Sequence, residues 1–511
     1  MTIKSEEKRK GRIAISHGKK IAALTDLNLP ARSSLFFTFI NLFTKAAAFV
    51  FTPIYTRLLS PEEYGEYSLF GTLLSVSLVI SSLELSGGVI MRAHQREKES
   101  HSITTLIATL LTFFVTIPVF LAVFLIKRVT GGGMSFPYAY LLLLIMTLST
   151  NTVNLFLSHS KYVYRWQPSF AVALLQSVIA PLSAIFIISL SDAPSGYHVT
   201  LKFSVSVLLT SLVAIYMLIR TVLGAKEEIC KLSLSKNEFF RLSIKKLKLL
   251  LKLALPLLPY YISISAISGA DKLIISHTLG KAVLAPYAVA FSAGVALSGV
   301  YSGVNSALCP WLMRKIRAGE CELAQRSLGM LLSLFASLSA CFILLAPEAL
   351  SLLAPSAYSI ALPVTLISAI APIPLAAAQC SSSIAIAKER TCGVLFAGVI
   401  PATLAITLGA ILIPRFGAPI GALIAPISYT ASALIEAFNL KRINGRAPFR
   451  PSLLLIATAC LSLTAIITYL LKDSLIYRLI PLAFASLLTL YMLKRSLPLL
   501  KERRQPSAQE Q

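Results

Sequence analysis

Apolar runs of roughly 20 residues, each bounded by polar or basic links, recur from one end of this chain to the other. A run of that length crosses a bilayer as a helix, and only a helix or a closed barrel satisfies a lipid-embedded backbone. A barrel needs shorter segments of alternating polarity, which this pattern lacks. The chain is therefore expected to be an all-α membrane protein. Composition agrees: 56% of the 511 residues are hydrophobic and only 14% charged, too few charges to cover a soluble protein of this length.

About 14 spans are expected, at roughly 34–56, 68–91, 103–126, 136–157, 168–190, 200–219, 253–270, 283–307, 328–346, 361–386, 392–413, 418–440, 453–471 and 479–493. The formal net charge is +25. Its basic residues sit in short clusters between apolar runs, without the interleaved aromatics of a nucleic-acid groove, so no nucleic-acid partner is expected. Lys and Arg favour alternate links by roughly four to one, which places both termini in the cytoplasm. The first 32 residues lack the apolar core and small-residue cleavage site of a secretory signal. The seven cysteines are scattered with no CxxC pair, and the six histidines show no metal-ligand spacing. No metal and no cofactor is expected.

The expected layout is a cytoplasmic tail (1–32), an N-lobe of spans 1–6 (33–219), a basic linker (220–252), a C-lobe of spans 7–12 (253–440), spans 13–14 (453–493) and a cytoplasmic tail (494–511). The linker, "RTVLGAKEEICKLSLSKNEFFRLSIKKLKLLLK", is amphipathic, and it reads as a surface helix on anionic lipid heads. An internal repeat follows from the layout. "RLLSPEEYGEYSL" at 57–69 and "HTLGKAVLAPYAV" at 277–289 align with Leu59 on Leu279 and Tyr67 on Tyr287. Two six-helix bundles in the same orientation, related by an axis along the membrane normal, would produce that spacing.

"TRLLSPEEYGEYSL", "SGADKLIISHTLGKAVLAPYAVA" and "IPRFGAPIGALIAPISYTASALIEAFNLKR" resemble three signature regions of the Wzx-type polysaccharide and O-antigen flippases. These belong to the multidrug/oligosaccharidyl-lipid/polysaccharide (MOP) exporter superfamily. Ala285-Pro286 departs from the family's usual Gly followed by a bulky residue. The resemblance implies two lobes around a cavity that opens alternately to either side. It implies a polyprenyl-pyrophosphate-linked oligosaccharide as cargo, the bacterial inner membrane as location, and other lipopolysaccharide or polysaccharide assembly proteins as partners.

Seven charged residues are candidates for the transport path. Lys45 lies about 12 residues from Arg57 and 13 from Arg32, hence near the bilayer midplane. A cation in lipid there costs roughly 2.5–3.5 kcal/mol on insertion scales, so it should face a cavity or a partner. It either attracts anionic cargo or pairs structurally, for example with Glu84. Arg57, after Pro53, reads as part of an outer gate or as an ion pair with Glu62, Glu63 and Glu66. Arg92 and Arg314 are expected at equivalent inner span ends, as guanidinium forks for a pyrophosphate or as topological anchors. Asp271, expected with Lys272 at the end of span 7, matches the family's acidic position in "ADKLI". It reads as a cross-lobe partner, a coupling-ion site or a helix-end charge. Glu84 and Glu436 are acids within spans, suited to carrying a coupling proton; Glu436 also reads as an inner-surface pair with Lys441.

A membrane glycosyltransferase or glycan polymerase is the rival class. The chain has no DxD, HExxH, GxSxG or P-loop motif, and no outer link long enough for a folded domain. No enzymatic activity is expected. Among transporters, the alternatives are a lipid II flippase and a MATE-type drug or cation antiporter.

Overall fold

A computed structural model describes residues 29–501, apart from 88, 97–99, 131–133, 137, 163–164, 191–196, 234 and 389–390. The described residues are helical, with no strand among them. In the first half, α1 (Leu29–Leu58) leads into α2 (Pro61–Ser82) and a short α3 (Val89–Arg96). Then come α4 (His101–Thr130), α5 (Ala139–Tyr162), α6 (Gln167–Leu174) and α7 (Ala180–Leu190). One π-helical turn, Leu175–Ile179, joins the last two. The half closes with α8 (His198–Lys231) and α9 (Lys236–Ala254). The second half holds α10 (Leu258–Thr278), α11 (Lys281–Gly294), α12 (Ser298–Arg317), α13 (Cys321–Leu344), α14 (Ala346–Leu353), α15 (Leu362–Ser368), α16 (Pro372–Ala387), α17 (Thr391–Phe416) and α18 (Ala418–Asn444). Two further helices follow, α19 (Pro451–Leu470) and α20 (Leu475–Lys501).

Ten helices among the described residues are long and apolar enough to cross a membrane, or twelve if two bent pairs each count as one span. Large apolar side chains stand exposed along them, including Phe114, Ile480 and Phe484. That is how a helix bundle solvated by lipid distributes its apolar surface. The chain is a multi-pass membrane protein. The count of fourteen does not follow from the structure: helices cover the first two expected spans, but α1 and α2 fall outside the ten. The start of α2 carries Glu62, Glu63 and Glu66.

The second span also differs from the expectation of 68–91. Its helix begins seven residues earlier because Ser60 caps it. The Ser60 side chain accepts from the Glu63 amide while the Glu63 carboxylate accepts from the Ser60 amide, with Pro61 at the first helical position. It ends at Ser82, where Leu83 and Glu84 take φ of 49° and 53°. Two successive left-handed residues cannot continue a helix. Two helix starts match the 220-residue spacing. α11 begins after Gly280 just as α2 begins after Ser60, and Gly280 at φ 90° occupies a region that disfavours side chains.

Helices of each half pack mainly on one another: α5 on α8 in the first, α10 on α17 and α17 on α18 in the second. The halves meet where α2 lies along α10 and α11 and where α1 crosses α12. The linker helix α9 is seated rather than floating. Leu250 and Ala254 pack with Leu85, Ile90 and Ala93, and Lys246 Nζ reaches Thr104 Oγ1 at 2.7 Å. α19 and α20 pack on α13. Arg478 of α20, 2% exposed, grips both carboxylate oxygens of Glu348 and the Leu344 carbonyl.

Candidate functional site

The seam between the halves is tight at the end that bears Ser60 and Gly280. A Cβ on Gly65 would lie 2.1 Å from the Lys281 carbonyl oxygen, so only glycine admits this approach of α2 to the start of α11. Lys281 Nζ donates to Glu66 and to the Ser135 hydroxyl, and the Ser135 amide donates to the same Glu66 oxygen at 2.9 Å. Thr56 at the end of α1 donates to the Leu353 carbonyl at 2.9 Å. Glu63 completes this end within the first half by meeting His198 Nδ1 at 3.1 Å. A charge-assisted pair, a buried hydroxyl bond and a backbone close approach thus join the two halves here.

Lys45 lies farther along α1, where that helix crosses α12. A Cβ on Gly299 would stand 3.0 Å from its Cγ, so the absence of a side chain there makes room for the lysine stem. The residue is exposed, and among the described residues its ammonium has no hydrogen-bond or ion-pair partner. The expected pair with Glu84 is not formed. Glu84 sits in the left-handed turn after α2, half-buried. Arg92 is half-buried on α3, beyond the break and not at the end of a continuous span. Glu84 and Arg92 both lie near enough to Tyr261 of α10 to act on it electrostatically. The side chain of Arg314, on α12, lies outside the described residues.

Three other expectations are corrected. Arg57 pairs with none of Glu62, Glu63 and Glu66 among the described residues; its Nη1 donates to the Pro53 carbonyl at 2.9 Å, one turn back. Glu63 and Glu66 are engaged elsewhere, with His198 and Lys281. Asp271 does not end its span, since α10 continues to Thr278. It is 3% exposed and bound within its own half, accepting from Tyr287 Oη and from Lys272, whose Nζ also lies 3.9 Å from the Phe291 ring centre. Glu436 makes no surface pair with Lys441. It is fully buried, accepts from Ser382 Oγ at 2.9 Å, and Ser382 in turn accepts from Tyr260 Oη at 2.9 Å. Its second oxygen has no partner among the described residues.

One cation escaped the sequence reading. Lys202, near the start of α8, is 8% exposed, with Nζ 3.7 Å from the Tyr67 ring centre, 4.3 Å from Phe203 and 5.4 Å from Tyr55. Aromatic faces hold an ammonium through their quadrupoles. The repeat partner of Tyr67 is Tyr287, which binds Asp271. Equivalent tyrosines thus hold a cation in one half and an anion in the other. The clue in the sequence was a second lysine close to an expected span boundary, which is easily assigned to the link outside.

Three histidines also converge at the other end of the first half. His94 of α3 lies 3.2 Å from His101 between Nδ1 atoms, and its ring is 5.4 Å from that of His159. Among the described residues no group of three ligands is placed to hold a metal.

Solved transporters share this architecture. An inward-facing multidrug-resistance MATE transporter of the MOP superfamily superposes with a TM-score of 0.55 at 15% identity, over 79% of this chain and 94% of its own. The lipid II flippase MurJ, in an inward closed conformation, gives 0.50 at 15% identity, over 91% of this chain and 97% of its own. No curated protein sequence matches significantly. The family model described as "Polysaccharide biosynthesis protein" matches residues 31–315, more than half of the chain. With that match and the helical MOP fold in place, the chain belongs to the polysaccharide biosynthesis protein family.

Proposed function

We propose that this protein is a flippase that moves a polyprenyl-pyrophosphate-linked oligosaccharide from the inner to the outer leaflet of the bacterial cytoplasmic membrane, by alternating access. The cargo feeds cell-surface polysaccharide such as O-antigen, and the chain performs no chemistry on it. The observation that carries the reading is Lys45, an exposed cation within an apolar run of α1 where the two halves cross, with no anionic partner among the described residues. An isolated ammonium is expensive to keep in lipid, and a hydrated passage with an anionic visitor removes that penalty. The sugar head, rich in hydroxyls, travels through this wet seam while the isoprenoid tail stays in the bilayer.

In this reading the Ser60 end faces outward and is shut by Gly65 against Lys281 and by the Glu66–Lys281 pair. Arg92, Glu84 and Tyr261 belong to the inward end of the seam. Arg57 on the Pro53 carbonyl belongs to the outer gate. The charged networks within the halves, at Asp271 and Glu436, are places for a coupling ion. The exposed face of α9 rests on anionic lipid heads. Assembly proteins of the same polysaccharide supply and remove the cargo. Lipid II is a second cargo worth testing, since it shares the pyrophosphate link and the fold extends over nearly all of MurJ.

The test is a vesicle assay. Labelled polyprenyl-pyrophosphate oligosaccharide in the inner leaflet should become accessible to an impermeant probe only where the protein is reconstituted. Exposure at the rate of protein-free vesicles defeats the proposal, and so does robust sugar transfer by the purified protein.

A further inference from the structure

A cavity of about 670 Å³ opens in the second half, away from the seam, among the start of α13, the end of α18 and the start of α19. Its walls include Leu434, Ile435 and Phe438, and its rim carries Lys441, Arg446 and Arg450. No acidic residue lines it among the described residues. Arg446 is committed, at 2.9 Å, to Glu322, which also binds Arg326. Lys441 and Arg450 are exposed and have no carboxylate among the described residues. The arrangement is set by the backbone: Gly445, at φ 73°, turns the chain sharply out of α18 and brings Arg446 and Arg450 back over its last turn.

We infer that this cavity binds the phosphate head of an anionic membrane phospholipid, with the upper acyl chain against Leu434, Ile435 and Phe438. The size suits a small amphiphile rather than a water or an ion. The polarity is split as in such a lipid, apolar within and cationic at the rim. A guanidinium and an ammonium with no protein anion are the groups that a phosphate diester satisfies. Membrane lipid is the occupant in greatest supply at a pocket on the flank of one half. The isoprenoid cargo would have to leave the seam to reach it. The inference requires only that the chain lies in a bilayer and is independent of the flippase reading.

The experiment uses the full chain in neutral detergent and reads the thermal midpoint by intrinsic fluorescence, with lipid retention by native mass spectrometry. Phosphatidylglycerol should raise the midpoint and stay bound, whereas phosphatidylcholine and inorganic phosphate should not. Lys441→Gln with Arg450→Gln should weaken phosphatidylglycerol binding about tenfold and leave the lipid-free midpoint unchanged. Arg450→Lys alone should keep most of the affinity. An equal loss of charge on α9, Lys248→Gln with Lys252→Gln, should weaken binding far less. Equal binding of phosphatidylcholine would overturn the inference. So would retained affinity in the double variant, an equal loss in the α9 control, or binding of polyprenyl phosphate but not phosphatidylglycerol. If the double variant does not fold, the two single glutamine variants carry the same comparison. Transport is not read, so these outcomes leave the cargo question untouched.

Discussion

Two lysines in the first half show how placement decides what a charge does. Lys45 has its stem against Gly299 and is exposed, without an anion among the described residues. Lys45→Ala should slow flipping by roughly tenfold, about 1.4 kcal/mol of lost stabilisation of the passing anion, at unchanged membrane abundance. Lys45→Arg should restore most of the rate in the same vesicle assay; a normal rate in the alanine variant would make Lys45 idle. Lys202 is the converse case, enclosed by Tyr67, Phe203 and Tyr55. Cation–π contacts are worth roughly 0.5–2 kcal/mol, while taking an ammonium out of water costs several. Lys202→Met keeps the stem and removes the charge, so it should melt no lower than the parent protein while losing transport. A melting point several degrees lower would assign the cage to structure alone.

At the scale of elements, breaks between helices matter as much as the helices. The left-handed turn at Leu83 and Glu84 detaches α3 from α2 and swings His94 against α4, α5 and the buried Lys246 of α9. Burial, reinforced by His101, His159 and Lys246, pushes the His94 imidazole down from 6.5 to about 3. The unfolded chain then takes up a proton that the folded state refuses. The stabilising preference for neutral His94 is complete above pH 6.5 and fades as the pH falls toward 3. His94→Gln should therefore flatten the acid limb of the plot of thermal midpoint against pH. An unchanged slope would show that His94 is not the group responsible.

For the whole molecule, the tight end is the feature that any alternating mechanism must undo. Ala285, on α11 beside the Gly65 contact, is fully buried. Gly65→Val forces α2 and α11 apart, at a cost of roughly 1–3 kcal/mol for overpacking. An Ala285→Cys reporter should be silent toward an impermeant maleimide in the parent background and should label in the Gly65→Val background. A silent reporter in both would mean that the seam does not part along α2 and α11. Between the halves, this end combines the Glu66–Lys281 pair and the Thr56 bond with buried apolar packing that includes Tyr64, Leu284 and Ala285. Opening this end therefore exchanges the polar bonds and also parts a shared strip of packed core, as a discrete rearrangement between two packed states would.

Much of this fold was legible because lipid simplifies the rules. Long apolar runs had to be helices, and the spacing of "SPEEYG" and "GKAVLAP" exposed the repeat, whose helices do start 220 residues apart, at Pro61 and Lys281. The candidate site was legible only as a set of charges. Lys45 stood out because charge inside an apolar run is costly wherever it points. Its neighbour Gly299 lies more than 250 residues away, and sequence carries no distance between them. The same limit hid the partners of Glu66, Asp271, Glu436 and Lys202, each set by which helix packs beside which. Hydropathy along the chain fixes where the backbone may cross a membrane, since each helix closes its own hydrogen bonds. Whether a buried charge meets an anion, an aromatic face or open space depends on helix rotation and packing, and only the tertiary structure decided that.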